Sequence, residues 1–362
     1  MKIAVPTEVK PQEFRVAITP VGVHELVRHG HEVFVQAGAG VGSALTDQAY
    51  VDAGATLLPD AAATWEAGEL VLKVKEPVAT EYAFLRDDLV LFTYLHLAAD
   101  RPLTQRLLEA GTIGIAYETV RLPSGLLPLL YPMSEVAGCL APQVGAHAMM
   151  KAQGGRGVLM GCVGGVPNAK VVVLGGGVAG QNAANVALGM GADVTILDTD
   201  LDKLRQTFWR YDNRVKQIVS TAMSVHDQVL AADLVIGTVL IPGARAPKLV
   251  TNAMVAQMKP GSVLVDVAID QGGCFEDSHP TTHADPTFTV HESVFYCVAN
   301  MPGAVPNTST WALTNATLPY ALRIAELGWA EALAADPALA LGLNTRAGEI
   351  THPGVAAAYA EG

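Results

Sequence analysis

Cysteine is scarce in this sequence: Cys139, Cys162, Cys274 and Cys297 lie far apart, with no C-x-x-C pair and no histidine at metal-finger spacing. This excludes a disulfide framework and a zinc module, and the four residues read as reduced thiols with no metal site. Charge is sparse too, at 16% of residues, and biased: 23 Lys and Arg against 35 Asp and Glu give −12, with no basic run. That balance argues against nucleic acid and anionic membrane as partners, so an anionic ligand needs cations placed locally. Unbroken apolar runs are missing as well. Two uncharged stretches have membrane-spanning length, but 171–192 is interrupted by glycines, Gln181, Asn182 and Asn185, and 305–322 by threonines, Ser309, Pro306 and Pro319. Both read as α/β core rather than as membrane spans. The opening MKIAVPTEVK carries Lys2 and reaches Glu8 without an apolar core, so no signal peptide is expected and the expected compartment is the cytoplasm.

What is present is chain length and apolar residue. The 362 residues are 50% hydrophobic with mean hydropathy +0.31, enough for about two packed domains and too apolar for a disordered chain. Short apolar runs at 2–6, 31–36, 69–74, 89–95 and 112–117 read as strands with helices between them, such as 21–29 closed by Gly30. Runs such as LVLFTYL, apolar at successive positions, suit parallel strands covered on both faces. A second βα series starts at Lys170 with KVVVLGGG and continues through ADVTILD, DLVIGTV and SVLVDVA to FTVHESVFYCVAN. A helix over 134–151 and a glycine-rich loop from Gly154 to Gly165 join the two series. After Asn307, Leu313, Ala316, Tyr320, Ile324 and Leu327 fall at helical intervals. Pro319 is expected to kink that helix, and the helix to return to the first domain.

The segment Gly175-Gly-Gly177-Val-Ala-Gly180 is G-x-G-x-x-G, set between the strand KVVVL and a helical run. In that context the glycines permit a tight turn and close approach of a pyrophosphate to a helix N-terminus. The next strand, DVTILD, ends in Asp198, where a carboxylate accepts hydrogen bonds from a ribose hydroxyl. Asp198, Asp200 and Asp202 oppose a 2′-phosphate, with Lys203 and Arg205 softening the effect, which favours NAD over NADP.

Ligands of open α/β sheets sit at the carboxyl ends of strands, so polar residues that end apolar runs are the candidates for chemistry. Lys75 ends ELVLKVK, His96 ends LVLFTYLH, Asp270 follows SVLVDVAI, and Arg15 follows the first strand. Lys75 offers a cation for a carboxylate or carbonyl oxygen, and His96 and Asp270 offer proton exchange. Arg15 offers a two-pronged grip on a carboxylate. Each also has a structural reading: Lys75 as a partner of Glu76, Arg15 as a surface ion pair, His96 and Asp270 as caps or satisfied hydrogen-bonding groups. Because these residues come from both βα series, a site in the cleft between two domains is expected.

PTEVKPQEFRVAITP, LVLKVKEP, FTYLHLA, AYETV, PMSEVAG, GGRGVLMGCVGGVP, VDVAIDQGG and VANMPGAVPNTSTWALTNATLPY together resemble the alanine dehydrogenase family from end to end. The wider group includes the NAD-binding part of proton-pumping transhydrogenases, but Lys75 and His96 in their flanking sequences look like the alanine enzymes. The resemblance implies an α/β fold of two Rossmann-like doubly wound parallel-sheet domains. The substrate domain is discontinuous, 1–128 with 308–362, around an NAD-binding domain at 129–307. The resemblance implies reversible NAD-dependent oxidative deamination of L-alanine to pyruvate and ammonium by a homohexamer, and leaves open whether glyoxylate is also reduced to glycine. His96 and Asp270 are implied as the acid/base pair, with Arg15 and Lys75 on the substrate and Tyr94 and Glu118 supporting the pocket. For the cofactor it implies Ser134, Gly175, Gly177, Val178, Ala179, Gly180, Asp198, Lys203, Ser220, Val239, Leu240, Val267, Ala268, Ile269, Asp270, Val298, Asn300 and Met301. His279 departs from the pattern, standing where some members have arginine near the cofactor. The alternatives are a non-catalytic NAD(H)-binding module like the transhydrogenase part, and a dehydrogenase for a larger amino acid such as saccharopine.

Overall fold

A computed structural model describes residues 1–239 and 246–361. Six strands open the chain: β1 (Lys2–Val5), β2 (Glu32–Gln36), β3 (Thr56–Leu58), β4 (Leu70–Leu72), β5 (Val90–Thr93) and β6 (Ile113–Ala116). Among the described residues seven follow: β7 (Lys170–Leu174), β8 (Asp193–Asp198), β9 (Lys216–Val219), β10 (Leu234–Gly237), β11 (Val263–Asp266), β12 (Thr287–Val290) and β13 (Ser293–Tyr296). Two more, β14 (Leu343–Arg346) and β15 (Glu349–Ile350), lie near the end. The chain divides into two compact units, Met1–Met133 with Val305–Gly362, and Ser134–Ala304.

In the first unit the strand order is β15-β14-β6-β5-β4-β1-β2-β3, parallel from β3 to β6, with β14 antiparallel to β6 and β15 antiparallel to β14. In the second it is β12-β13-β11-β10-β7-β8-β9, parallel except for β12. Each is a Rossmann-like α/β unit on a parallel-dominated sheet. Central strands are apolar at every position because helices cover both faces: Val171 to Leu174 and Val263 to Val265 are all buried. In each sheet the chain winds outward from one central strand and then restarts on its other side. The first sheet switches between β1 and β4 and the second between β7 and β10, and loops at such points diverge to leave a crevice.

The helix Pro306–Leu327 returns to the first unit and runs unbroken through Pro319. Its Thr310 hydroxyl accepts the Val16 N–H at 3.1 Å and meets Ser43 Oγ at 2.8 Å. The helix expected over 134–151 spans Tyr131–Ala148, and Met150, in extended conformation, stands just beyond its end. FTVHESVFY, which has the look of one strand, is the hairpin β12–β13, with His291 at φ 50° in the turn. β3, β14 and β15 have no long apolar run to announce them; they are short edge or near-edge strands held by their neighbours.

All four cysteines are unpaired, and Cys162 is exposed while Cys274 and Cys297 are buried. Burial pushes both buried thiols up to about 12. We expect one thiol per chain to react rapidly with an aromatic disulfide reagent at mildly alkaline pH, and all four after unfolding. Cys162→Ser should remove the fast phase. A fast phase that survives in that variant would show that a different thiol is the reactive one.

Candidate functional site

In the first unit the candidate residues stand on loops at the carboxyl ends of β1, β4, β5 and β6. Arg15 lies in the loop after β1 and is buried. Glu13 accepts from its Nε at 2.7 Å and its Nη2 at 2.5 Å, and Met133 Sδ lies 3.1 Å from Nη1. Burial opposes the guanidinium charge, yet the hydrogen bonds and charge of Glu13 outweigh it and hold Arg15 above its ordinary value. The two-pronged edge expected to grip a ligand is therefore taken up by Glu13. The ion pair is internal, not the surface pair of the structural reading.

Lys75, half-buried in the loop after β4, is fixed through its backbone: its carbonyl accepts from the Thr93 hydroxyl at 3.1 Å. Glu76, its neighbour in sequence, pairs instead with Lys10. His96 follows β5 with φ 52°, a left-handed conformation uncommon outside glycine. Glu118, in the turn after β6, explains how it is held. Its carboxylate accepts the N–H of His96 at 2.6 Å and that of Leu95 at 3.2 Å, while His96 Nδ1 lies 3.9 Å from Glu118 Oε1. The imidazole, 44% exposed, stacks on Tyr94 at 5.8 Å with the rings 7° apart. Tyr94 is buried and donates to the Leu129 carbonyl at 2.6 Å. Burial raises its phenol far above the usual range, so the hydroxyl stays protonated with its proton on the Leu129 carbonyl while the ring face carries the imidazole.

In the second unit the cofactor candidates sit on successive loops at the carboxyl ends of the parallel strands. Gly175, with φ 103°, makes the turn after β7, and Gly177 caps the helix Val178–Gly189 without any side-chain hydrogen bond. Gly177 has no side chain to take the first N–H groups of that helix, at Val178 and Ala179, and a helix N-terminus of that kind suits an anion. A methyl group at Gly180 would overlap the Gly175 carbonyl oxygen, whereas one at Gly177 would meet nothing within 4 Å among the described residues. The third glycine therefore serves helix packing and the second keeps space open beside the turn.

Asp198 ends β8; its carboxylate accepts the Gly176 N–H at 2.7 Å and the Asp200 N–H at 2.8 Å, and Lys203 Nζ stands 3.6 Å away. Ser220, after β9, donates its N–H to the Asp198 carbonyl at 2.9 Å. Val239 follows β10, and Leu240 lies outside the described residues. Val267 to Asp270 follow β11, with Ile269 and an exposed Asp270 in a 3₁₀ turn. After β13 come Val298, Asn300 at φ 61°, and the buried Met301. Ser134 lies in the helix Tyr131–Ala148. His279 stacks against Phe288 at 3.8 Å between ring centroids. The uncapped helix behind a glycine turn, and a fixed carboxylate at the end of the next strand, fit a dinucleotide. Among the described residues no group of three or more His, Cys, Asp or Glu side chains is gathered to hold a metal, and no helix is long and apolar enough to cross a membrane.

Residues 4–137 match the N-terminal domain, and residues 141–353 the C-terminal domain, of alanine dehydrogenase/PNT. The chain belongs to the alanine dehydrogenase/PNT family. It is 60% identical to the alanine dehydrogenase of Mycobacterium tuberculosis over 356 residues, 98% of this chain and 96% of that one. The alanine dehydrogenase of Mycolicibacterium smegmatis is 58% identical with the same coverage. A solved L-alanine dehydrogenase superposes with a TM-score of 0.97 at 50% identity, covering 100% of this chain and 99% of that one. A transhydrogenase from Sinorhizobium meliloti matches at 0.83 and 28% identity, covering 98% and 99%.

Within this alanine dehydrogenase/PNT chain, reading strand ends missed two groups. Glu13 is the local partner that orients Arg15, and its i,i+2 spacing carries no periodic signal. Asp266, fully buried at the end of β11, shapes the loop that bears Asp270. It accepts N–H groups from Ala268 at 3.2 Å, Cys274 at 2.8 Å and Phe275 at 3.3 Å, and the Ser278 hydroxyl at 2.5 Å. Burial raises its carboxyl despite those donors. A signal for it existed: SVLVD is an apolar run that ends in a charge.

Proposed function

We propose that the chain is an L-alanine dehydrogenase, catalysing reversible NAD-dependent oxidative deamination of L-alanine to pyruvate and ammonium. The observation that carries this reading is 60% identity to an alanine dehydrogenase across 98% of the chain, joined to the presence of Lys75 and His96 at adjacent strand ends. We assign the substrate to the residues of 1–128 and 308–362 and the cofactor to those of 129–307. The reading includes the cytoplasmic location expected from the sequence, and a homohexamer, which rests on the family resemblance.

The Gly175–Gly180 turn, Asp198, Val239 and the loops after β11 and β13 would hold NAD, which would supply the acceptor for the hydride from the alanine Cα. Lys75 carries the cation for the substrate carboxylate and, in pyruvate, its carbonyl oxygen. Arg15 adds positive charge from within its pair with Glu13. The alanine ammonium must lose a proton before its nitrogen lone pair can form C=N, and His96 receives that proton. Water then adds to the imino carbon. His96 and Asp270 move protons from that water to the departing nitrogen, which leaves as ammonia. The balance is alanine, NAD⁺ and water to pyruvate, ammonium, NADH and a proton.

The test follows NADH absorbance with purified protein, offering alanine with NAD⁺ or NADP⁺, then serine, lactate or saccharopine with NAD⁺. Turnover with alanine and NAD⁺ alone is expected. NADH binding without turnover of any amino acid would replace this reading with the non-catalytic module.

A further inference from the structure

At the carboxyl end of β4 stands a buried charge cluster that the reaction leaves unused. Lys73 is fully buried and meets Glu81 Oε1 at 2.8 Å and Glu8 Oε2 at 3.2 Å. One ammonium is neutralised by one carboxylate, and Glu81 is the nearer. Glu8 therefore adds an excess negative charge in a buried place, which is costly unless other donors receive it. Burial does raise the Glu8 carboxyl, against the pull of Lys73 and the Val74 N–H, with Glu13 and Glu81 adding to the rise.

The donors that receive this charge are backbone groups. Glu8 Oε1 accepts the Val74 N–H at 2.7 Å, and Oε2 accepts the Lys75 N–H at 3.3 Å. Thr93 holds the Lys75 carbonyl from the other side, and Lys10 pairs with Glu76 one residue on. The loop after β1, which also carries Glu13 and Arg15, is in this way fastened to the loop after β4 on both sides of Lys75. Glu81 makes no such contact; its second oxygen accepts the Val78 N–H at 3.0 Å.

We propose that Glu8 is the positioning residue of Lys75: its carboxylate fixes the peptide from which the Lys75 ammonium reaches the substrate. This rests on reading the chain as an L-alanine dehydrogenase in which Lys75 binds pyruvate. A glutamine at position 8 keeps a single acceptor oxygen, so its amide nitrogen confronts one of the two backbone N–H groups and the Lys75 peptide shifts. Small misplacements of a binding group are costly.

The matched comparison is Glu8→Gln against Glu81→Gln, since each removes one carboxylate from Lys73 and leaves a neutral pair. For E8Q we expect KM for pyruvate to rise roughly tenfold, about 1.4 kcal/mol, with kcat within about threefold and NADH affinity, read by fluorescence titration, unchanged. For E81Q we expect KM for pyruvate to stay within about twofold of the parent. Equal effects of the two variants, or an unchanged KM in E8Q, would overturn the assignment. If E8Q does not accumulate folded, the comparison moves to Glu8→Asp against Glu81→Asp, which keep every charge beside Lys73 and withdraw one carboxylate by a methylene; only E8D should raise KM, and equal KM values would overturn the proposal. Absence of turnover in the parent chain would instead remove the functional reading on which the proposal stands.

Discussion

Replacing His96 by asparagine should lower turnover with pyruvate, ammonium and NADH by about 10²–10⁴-fold, the range typical of a lost general acid/base. The choice of residue matters because His96 sits at φ 52°. Asparagine tolerates that left-handed backbone better than most residues, so strain is kept small. Glu118 also still accepts the backbone N–H groups of residues 95 and 96, which leaves the loop in place. What the variant loses is the ring stacked on Tyr94 and, with it, a nitrogen that can take up and return a proton. The measurements are kcat, NADH affinity and thermal midpoint together. A large fall in kcat with the other two little changed assigns the proton transfers to His96. Turnover within about fivefold of the parent would remove His96 from the mechanism, because no general acid/base of ordinary efficiency is lost so cheaply.

The second large effect is expected at Gly180. A methyl group there overlaps the Gly175 carbonyl oxygen and stands 2.8 Å from Thr238 Oγ1. The Thr238 hydroxyl donates to the carbonyls of Leu174 at 2.9 Å and Gly175 at 3.0 Å, so the turn has little room to retreat. Gly180→Ala must push the helix Val178–Gly189 off the turn, at a cost of about 3 kcal/mol or more for overpacking, and NADH binding should be lost with it. Gly177→Ala is the informative contrast, because its added methyl group meets no atom of the described residues within 4 Å. That variant should keep its thermal midpoint while NADH binding weakens roughly tenfold, since the methyl enters the space a pyrophosphate approaches. Calorimetry and fluorescence titration on both variants decide the matter. If Gly177→Ala binds NADH as the parent does, the cofactor does not pass over this turn.

The parts of the candidate site legible in the sequence are those written within a few residues of one another. KVVVLGGGVAG states a strand, a turn and a helix start in one line, and a glycine with φ above zero is a local requirement. Lys75, His96 and Asp270 stand out because each follows a strand-like apolar run. Tyr94 and Glu118 had no such mark. Tyr94 acts by stacking on His96, two residues on, and Glu118 by accepting backbone N–H groups 22 positions earlier in the chain. Glu8 was silent for the same reason, since its partners at Val74 and Lys75 lie 66 and 67 positions away. The antiparallel edge pairs escaped notice because LNTR and EI have no periodic apolar pattern and are strands only through their neighbours.

The chain's own order of residues determined the α/β class, the glycine turn, the acidic end of β8 and the polar residues that finish the central strands, since each depends on backbone preferences and burial periods of short range. Only the tertiary structure decided what each of those residues can do. Parallel order puts β1 beside β4 rather than beside β3, so a glutamate following the first strand comes to grip the peptide of Lys75. It likewise puts β6 beside β5, which brings Glu118 to the backbone of His96. And burial of the loop after β1 gives Arg15 to Glu13, two residues before it, which no count of charges reveals, because a guanidinium taken out of water keeps the nearest carboxylate.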